Sequence, residues 1–246
     1  MNPTTERILE LKNVEFSYRQ RRSFFQYSSY QAIKGVSFSV NRGETVGSIG
    51  RNGCGKSTLL RVIAGIFKPD DGVLMRNCDG VSLLSLSLGF DPQLTGRENA
   101  VIAGMLQGAS RDQVENELGD ILEFSELGHF IDEPIKTYST GMRARLGFSI
   151  AITLRTDLLL VDEVLGVGDL RFREKAEKAM IDRISSSQTV LLVSHSLHQT
   201  GRLCDRVIWL DKGRVREQGD PATVIESYEE AMGVSKSRRS VETTVE

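Results

Sequence analysis

Gly50-Arg51-Asn52-Gly53-Cys54-Gly55-Lys56-Ser57, followed by Thr58, is the stretch on which this sequence of 246 residues turns. It matches G-x-x-x-x-G-K-[ST] without a gap. Thr45–Ile49 before it reads as a strand and Lys56–Gly65 after it as a helix, so the loop bridges the two. Glycines let the backbone wrap until successive N–H groups point at phosphate oxygens, and the helix N-terminus adds positive potential. Lys56 then reaches the β- and γ-phosphates, and the Ser57 hydroxyl ligates Mg²⁺. Gly50, Arg51, Asn52, Gly53, Cys54, Gly55, Lys56, Ser57 and Thr58 are thus the candidate ATP contacts. A glycine-rich turn that matches by chance is the competing reading, and the flanking strand and helix weigh against it. Cys54 has two readings: a thiol whose pKa is lowered by the helix N-terminus, alkylated at the expense of ATP binding, or an inert small filler.

Outward from the loop, strands alternate with helices, which implies an α/β fold with a mostly parallel sheet. Toward the N-terminus, Ile8, Leu11 and Val14 suggest a short edge strand, and Val36, Phe38 and Val40 alternate with polar residues at strand period. Between these lies a basic and aromatic segment holding Arg19, Arg21, Arg22, Phe24, Phe25, Tyr27 and Tyr30. Pro69-Asp70-Asp71-Gly72 reads as a turn. From about 90 to 150 the pattern is helical, with Val114, Leu118, Ile121 and Leu122 at helical spacing, so a helical insertion is expected there. Strand character returns at Leu158–Val161 and Thr189–Ser194, separated by an amphipathic helix with Phe172, Ala176, Ala179, Met180 and Ile184 on one face. Val207–Leu210 and Arg214–Val215 flank Asp211-Lys212-Gly213 as a hairpin, Val224–Met232 reads as a last helix, and 233–246 as a disordered tail.

Leu158-Leu159-Leu160-Val161-Asp162-Glu163 ends a buried strand in two carboxylates, which cost too much to bury without partners or work. Alone, that pattern is a turn signal. Beside a phosphate loop, Asp162 holds Mg²⁺ and Glu163 acts as general base on the attacking water. His195 follows a similar strand and is placed to contact the γ-phosphate, although a lone histidine at a strand end is more often a surface residue. His129 and His198 have no such placement.

Composition bounds the rest. With 31 basic and 33 acidic residues and a formal charge of −2, nothing points to nucleic acid. Cys54, Cys78 and Cys204 are too few and too scattered for a disulfide framework or zinc site, which suits a reducing cytoplasm. Met1-Asn2-Pro3-Thr4-Thr5-Glu6 lacks the marks of a signal peptide, and no apolar run approaches the ~20 residues that cross a bilayer. Work at a membrane would therefore need a spanning partner.

These pieces, in this order, resemble the nucleotide-binding subunits of ABC transporters. Tyr138-Ser139-Thr140-Gly141-Met142 looks like the family's signature segment, opening a helix before the acidic strand, and Val167-Gly168-Asp169 resembles its D-loop. The resemblance covers about residues 7–232. It implies a phosphate-loop NTPase core of the RecA-like type, an N-terminal antiparallel β-subdomain and a helical subdomain at about 90–150, all within one ATPase domain over 1–232. It further implies ATP hydrolysis with Mg²⁺, and a homodimer in which Ser139, Thr140, Gly141 and Asp169 reach the nucleotide on the other copy. Tyr18 matches the adenine-stacking position, with Phe24, Phe25, Tyr27 and Tyr30 as alternatives and a contact with lipid head groups or a membrane partner as another use of that segment.

More closely, Gly89-Phe90-Asp91-Pro92-Gln93-Leu94-Thr95-Gly96-Arg97-Glu98-Asn99 resembles the G-F-x-P-x-L-T-G-x-E-N pattern of exporters of O-antigen, capsule and teichoic acid polymers. That implies a separate polytopic permease, a lipid-linked polysaccharide cargo and a place on the cytoplasmic face of the bacterial inner membrane. The carbohydrate-binding β-domain of some relatives is not expected here. One departure stands out: no glutamine sits where the family's Q-loop has its magnesium ligand, and Ser85 and Ser87 lie near that place. An importer, a small-molecule exporter, a soluble ABC ATPase and a non-hydrolysing nucleotide-gated module are the alternatives.

Overall fold

The computed structural model describes residues 6–23, 26–84, 89–162, 168–186, 188–194 and 196–233. Its spine is β3 (Thr45–Ile49), buried at every residue. β3 lies between β7 (Thr189–Val193) and β8 (Arg206–Asp211) and is parallel to both. β6 (Leu158–Asp162) and β5 (Val81–Leu84) extend the parallel sheet past β7, while β9 (Arg214–Gly219) pairs antiparallel with β8. The order is β5-β6-β7-β3-β8-β9. Strands covered on both faces need apolar residues at every position, so Leu158–Val161 shows no alternation.

A second sheet, ordered β2-β1-β4, is antiparallel and built from β1 (Arg7–Ser23), β2 (Gln26–Asn41) and β4 (Asp71–Arg76). The short edge strand expected at Ile8, Leu11 and Val14 is instead the long central strand of this sheet. β4 covers it, beginning at Asp71 inside the expected turn. β4 hides from a sequence reading because it is exposed at all but one residue and so carries no apolar alternation. β1 and β2 also continue, paired, into the basic and aromatic segment as far as Ser23 opposite Gln26. Phe24 and Phe25 lie outside the described residues.

Three apolar clusters hold these layers. Ile8, Val14, Ile33 and Val36 pack with Leu59, Leu60 and Ile63 of α1 (Lys56–Ile63) against Leu158, Leu160, Leu191 and Val193. On the opposite face, Leu159, Val161, Val190 and Leu192 meet Phe148 of α4 (Thr140–Thr153) and Phe172, Ala176 and Met180 of α5 (Leu170–Ser185). Successive residues of one strand thus serve opposite layers. The third cluster joins α2 (Gly96–Leu106), α3 (Arg111–Ser125) and α4 through Ala100, Ala103, Val114, Ile121, Leu146 and Ile150. α6 (Leu197–Leu203) and α7 (Pro221–Ala231) flank the β8–β9 pair, α7 starting at Pro221 because Asp220 caps it by accepting from the Thr223 amide. Among the described residues no helix is long and apolar enough to cross a membrane.

The carboxyl ends of β3, β6 and β7 all face one edge of the sheet. Gly50, Asp162 and Ser194 stand there, where α/β sheets carry their ligands.

Candidate nucleotide-binding site

The glycine loop is held against the protein by close backbone approaches. A Cβ on Gly50, at φ +150°, would lie 2.2 Å from the Leu210 carbonyl oxygen, and one on Gly55, at φ +111°, would lie 2.7 Å from that of Ala32. Neither position admits a side chain. Gly55 caps α1 without a side-chain hydrogen bond, so the first N–H groups of the helix stay available. Lys56, only 5% exposed, folds back so that its Nζ donates to the Gly50 carbonyl at 2.7 Å and the Arg51 carbonyl at 3.2 Å. Asn52, Gly53, Gly55, Lys56, Ser57 and Thr58 line a cavity of about 380 Å³ whose far wall is Tyr30 and Ala32.

Cys54 points the other way, into the apolar cluster beneath the loop. Burial pushes its thiol pKa up, outweighing the nearby Lys56 ammonium, which pulls it down. The lowered pKa expected from the helix N-terminus is therefore corrected: desolvation disfavours the thiolate more than the local positive potential favours it. The small-filler reading fits this placement.

A hydrogen bond joins β6 to the loop: the Ser57 hydroxyl donates to Asp162 Oδ1 at 3.0 Å. A serine hydroxyl and a carboxylate so close, at the mouth of a phosphate loop, are hard oxygen donors of the kind Mg²⁺ takes. Glu163 and His195, along with Val167 and the segment 85–88, lie outside the described residues.

Tyr18 and Tyr30 face each other across the β1–β2 pair. The Tyr18 hydroxyl is 3.1 Å from Thr58 Oγ1, and its ring is met edge-on by Phe16 and Phe67. Tyr30 is 59% exposed and donates its hydroxyl to the Gly53 carbonyl at 3.2 Å. The strand register brings both tyrosines to the loop, a proximity that spacing alone did not reveal.

The signature-like segment lies apart. Ser139 caps α4 by accepting from the Met142 amide at 3.1 Å, and Ser139 and Thr140 are exposed. A Cβ on Gly141 would find nothing closer than Ser139 Oγ at 3.8 Å. Among the described residues no hydrogen bond joins 139–141 to 50–58. Asp169 caps α5 through the Phe172 amide at 2.9 Å and stands 3.9 Å from an Arg145 nitrogen.

The Leu94–Asn99 pattern locks this region together. Thr95 and Glu98 form a reciprocal capping box at the start of α2, and buried Asn99 donates to the carbonyls of Asp91, Leu94 and Thr95. Gly96 makes room for Tyr138, since a Cβ there would lie 2.2 Å from the tyrosine oxygen. The Tyr138 hydroxyl donates to the Phe130 carbonyl at 2.6 Å, and burial pushes its pKa up to about 12. Ser139 is thereby fixed from behind. Gln93 is exposed and accepts from Lys136 Nζ at 3.2 Å.

A glycine loop between a buried parallel strand and a helix N-terminus, with a hydroxyl and a carboxylate paired beside it, defines a phosphate-loop nucleotide site. The sequence model of the ABC transporter family matches residues 33–166, and the chain belongs to that family. It is an ATPase of the cassette type, and such cassettes bind ATP and in general use Mg²⁺. The chain is 44% identical over 222 residues to the O-antigen export system ATP-binding protein RfbB of Klebsiella pneumoniae, covering 90% of each. It is 44% identical over 200 residues to the teichoic acids export ATP-binding protein TagH of Enterococcus faecalis, covering 81% of this chain and 44% of that one. Its fold is shared with a dimeric ATP-binding cassette bound to ADP and Pi, at a TM-score of 0.69 and 22% identity over 87% of this chain and 98% of that one.

Proposed function

We propose that this chain is the ATP-hydrolysing subunit of an exporter that moves a lipid-linked polysaccharide across the bacterial inner membrane. What carries this reading is the 44% identity to an O-antigen export ATP-binding protein along 90% of both chains. The G-F-x-P-x-L-T-G-x-E-N pattern supports it. As a peripheral protein on the cytoplasmic face, the chain would act on its cargo through a separate polytopic permease, gripped by the helical part of the single cassette that spans 1–232.

Nucleotide enters the cavity between Tyr30 and the loop. Backbone N–H groups of 50–58, with Arg51 and Asn52 at the rim, hold the phosphates, and Lys56 exchanges its two loop carbonyls for β- and γ-phosphate oxygens. Ser57 and Asp162 would hold Mg²⁺, which would supply charge neutralisation for the transferred phosphoryl group. Glu163 takes the proton of the attacking water, and His195 contacts the γ-phosphate. Tyr18 braces Thr58 on the adenine side, where Tyr30 offers the more accessible ring. Ser139, Thr140 and Gly141 of a second copy, with its Asp169, complete the site, so ATP closes the dimer and hydrolysis reopens it.

Two measurements test this. Glu163→Gln should keep ATP binding, trap a stable dimer and lower turnover about 10³-fold, the scale of a general base; wild-type turnover would remove Glu163 from its role. Capture of the native complex from membranes should bring down a polytopic subunit, and loss of this chain should leave lipid-linked polymer in the cytoplasm. Ribosomes or DNA in place of that subunit would point to a soluble ATPase instead.

A further inference from the structure

On the edge of the parallel sheet opposite the phosphate loop, where β5, β6 and β7 begin, lies a cavity of about 400 Å³. Arg42, Arg155 and Arg183 line it, with Gln113 from α3 and Gln188 before β7. β3, which joins the two edges, spans roughly 16 Å at about 3.3 Å per residue, so this cavity is a separate site.

Most of its polar groups are already committed. Arg42 pairs with Asp157 at 3.0 Å and with Glu6 at 2.8 Å. The Asp157 carboxylate also accepts from the Asp79 amide at 2.9 Å. Gln188 Nε2 donates to the carbonyls of Thr156 at 2.6 Å and Asp157 at 3.3 Å. These bonds fix the wall and leave two guanidiniums over. Arg183 donates through Nη2 to the Leu154 carbonyl, but its buried Nε has no hydrogen-bond partner. The Arg155 side chain is exposed and makes no hydrogen bond or ion pair among the described residues.

Two positive charges held together are costly, and a buried donor without an acceptor costs as much again. Burial first, and then the charge of Arg155, push the Arg183 pKa down, with only Glu117 working against them. The remaining carboxylate on the wall, Asp79, is exposed and solvated. The ligand chemistry that suits two guanidiniums lining one cavity is an anion with several acceptor oxygens, since a guanidinium presents a planar fork to such a group. The volume falls within the usual range for small-molecule sites.

We propose that this cavity binds a small diphosphate-bearing anion, one phosphoryl group on Arg155 and the other on Arg183. It acts at a distance from the nucleotide loop.

The test is calorimetry with pyrophosphate on the full chain, whose nucleotide loop is first saturated with a non-hydrolysable ATP analogue. One saturable pyrophosphate site per chain is expected, weakened at least tenfold by Arg155→Gln and by Arg183→Gln. Inorganic phosphate should bind at the same arginines at least tenfold more weakly. Equal affinity for the two anions would overturn the diphosphate assignment. Absence of binding once the loop is filled, or unchanged affinity in Arg155→Gln, would overturn the site itself. Arg155 is exposed, so its variant remains decisive should Arg183→Gln fail to fold. Sodium chloride at matched ionic strength must not mimic the heat or the protection against thermal unfolding; if it does, the effect is ionic screening and the proposal fails.

Discussion

Residues 50–58 and residues 139–141 both present a helix N-terminus, yet they are built to different degrees. The first is cinched by two glycines against backbone, bonded through Lys56 to its own carbonyls and through Ser57 to Asp162, and faced by a tyrosine across a cavity. The second is capped by Ser139 and braced from behind by Tyr138, but among the described residues only its own Ser139 comes near a Cβ placed on Gly141. In the function proposed above, a loop complete within one chain binds nucleotide by itself, and an exposed helix end waits for a ligand that another copy carries. That asymmetry is what a shared site between two copies requires.

The largest effect should follow from breaking the loop half. Lys56→Ala deletes a charged donor worth about 1.5–3 kcal/mol per hydrogen bond, so ATP affinity of the single chain should fall on the order of 10²-fold. Titration with a fluorescent ATP analogue at low protein concentration measures this, and an unchanged affinity would dismantle the contrast. Circular dichroism should show the fold intact.

The other half should behave differently. Gly141→Asp places a carboxylate where the Cβ has open space, so the fold accommodates it. Like charges brought together across an interface cost several kcal/mol. ATP binding by the isolated chain should stay at the wild-type level, while dimer formation and turnover fall roughly tenfold to a hundredfold. Loss of monomer affinity in this variant would mean that 139–141 serves its own chain.

A smaller shift should separate the two tyrosines. Stacking on a base is worth about 1–3 kcal/mol, so Tyr30→Ala should raise the KM for ATP about tenfold. Tyr18→Phe removes only the hydroxyl beside Thr58 and should change KM about twofold. An unchanged KM in Tyr30→Ala would take the stacking role from Tyr30.

The loop half was legible in the sequence because its chemistry demands residue types at fixed spacing: Gly50, Gly55, Lys56 and Ser57 admit few substitutes. The buried strands β6, β7 and β8 were legible too, since coverage on both faces leaves an apolar run. β4 was not, because an exposed strand carries no pattern. β5 was missed because Ser82 interrupts its apolar run, and that serine is buried only because its hydroxyl finds Gln107 Oε1 at 2.6 Å. Tyr30 was one aromatic among several until register placed it opposite Tyr18. The arginine-lined cavity draws on segments that meet only in the folded chain, so no local motif announces it.

The smallest effect concerns the cysteine inside the loop, and it sharpens what the loop half is made of. Cys54 packs inward, and its pKa is raised. A raised pKa lowers the thiolate fraction at any pH beneath it, so alkylation near pH 8 should be slow and should climb with pH without levelling at the usual thiol value. Cys78, only half-buried, should react first, and Cys204, whose pKa burial raises to about 12, should be the slowest. Mass-spectrometric mapping after brief iodoacetamide treatment gives the order directly. Rapid labelling of Cys54 with prompt loss of ATP binding would mean that the thiol faces the phosphates, and the tight packing behind the loop would have to be redrawn.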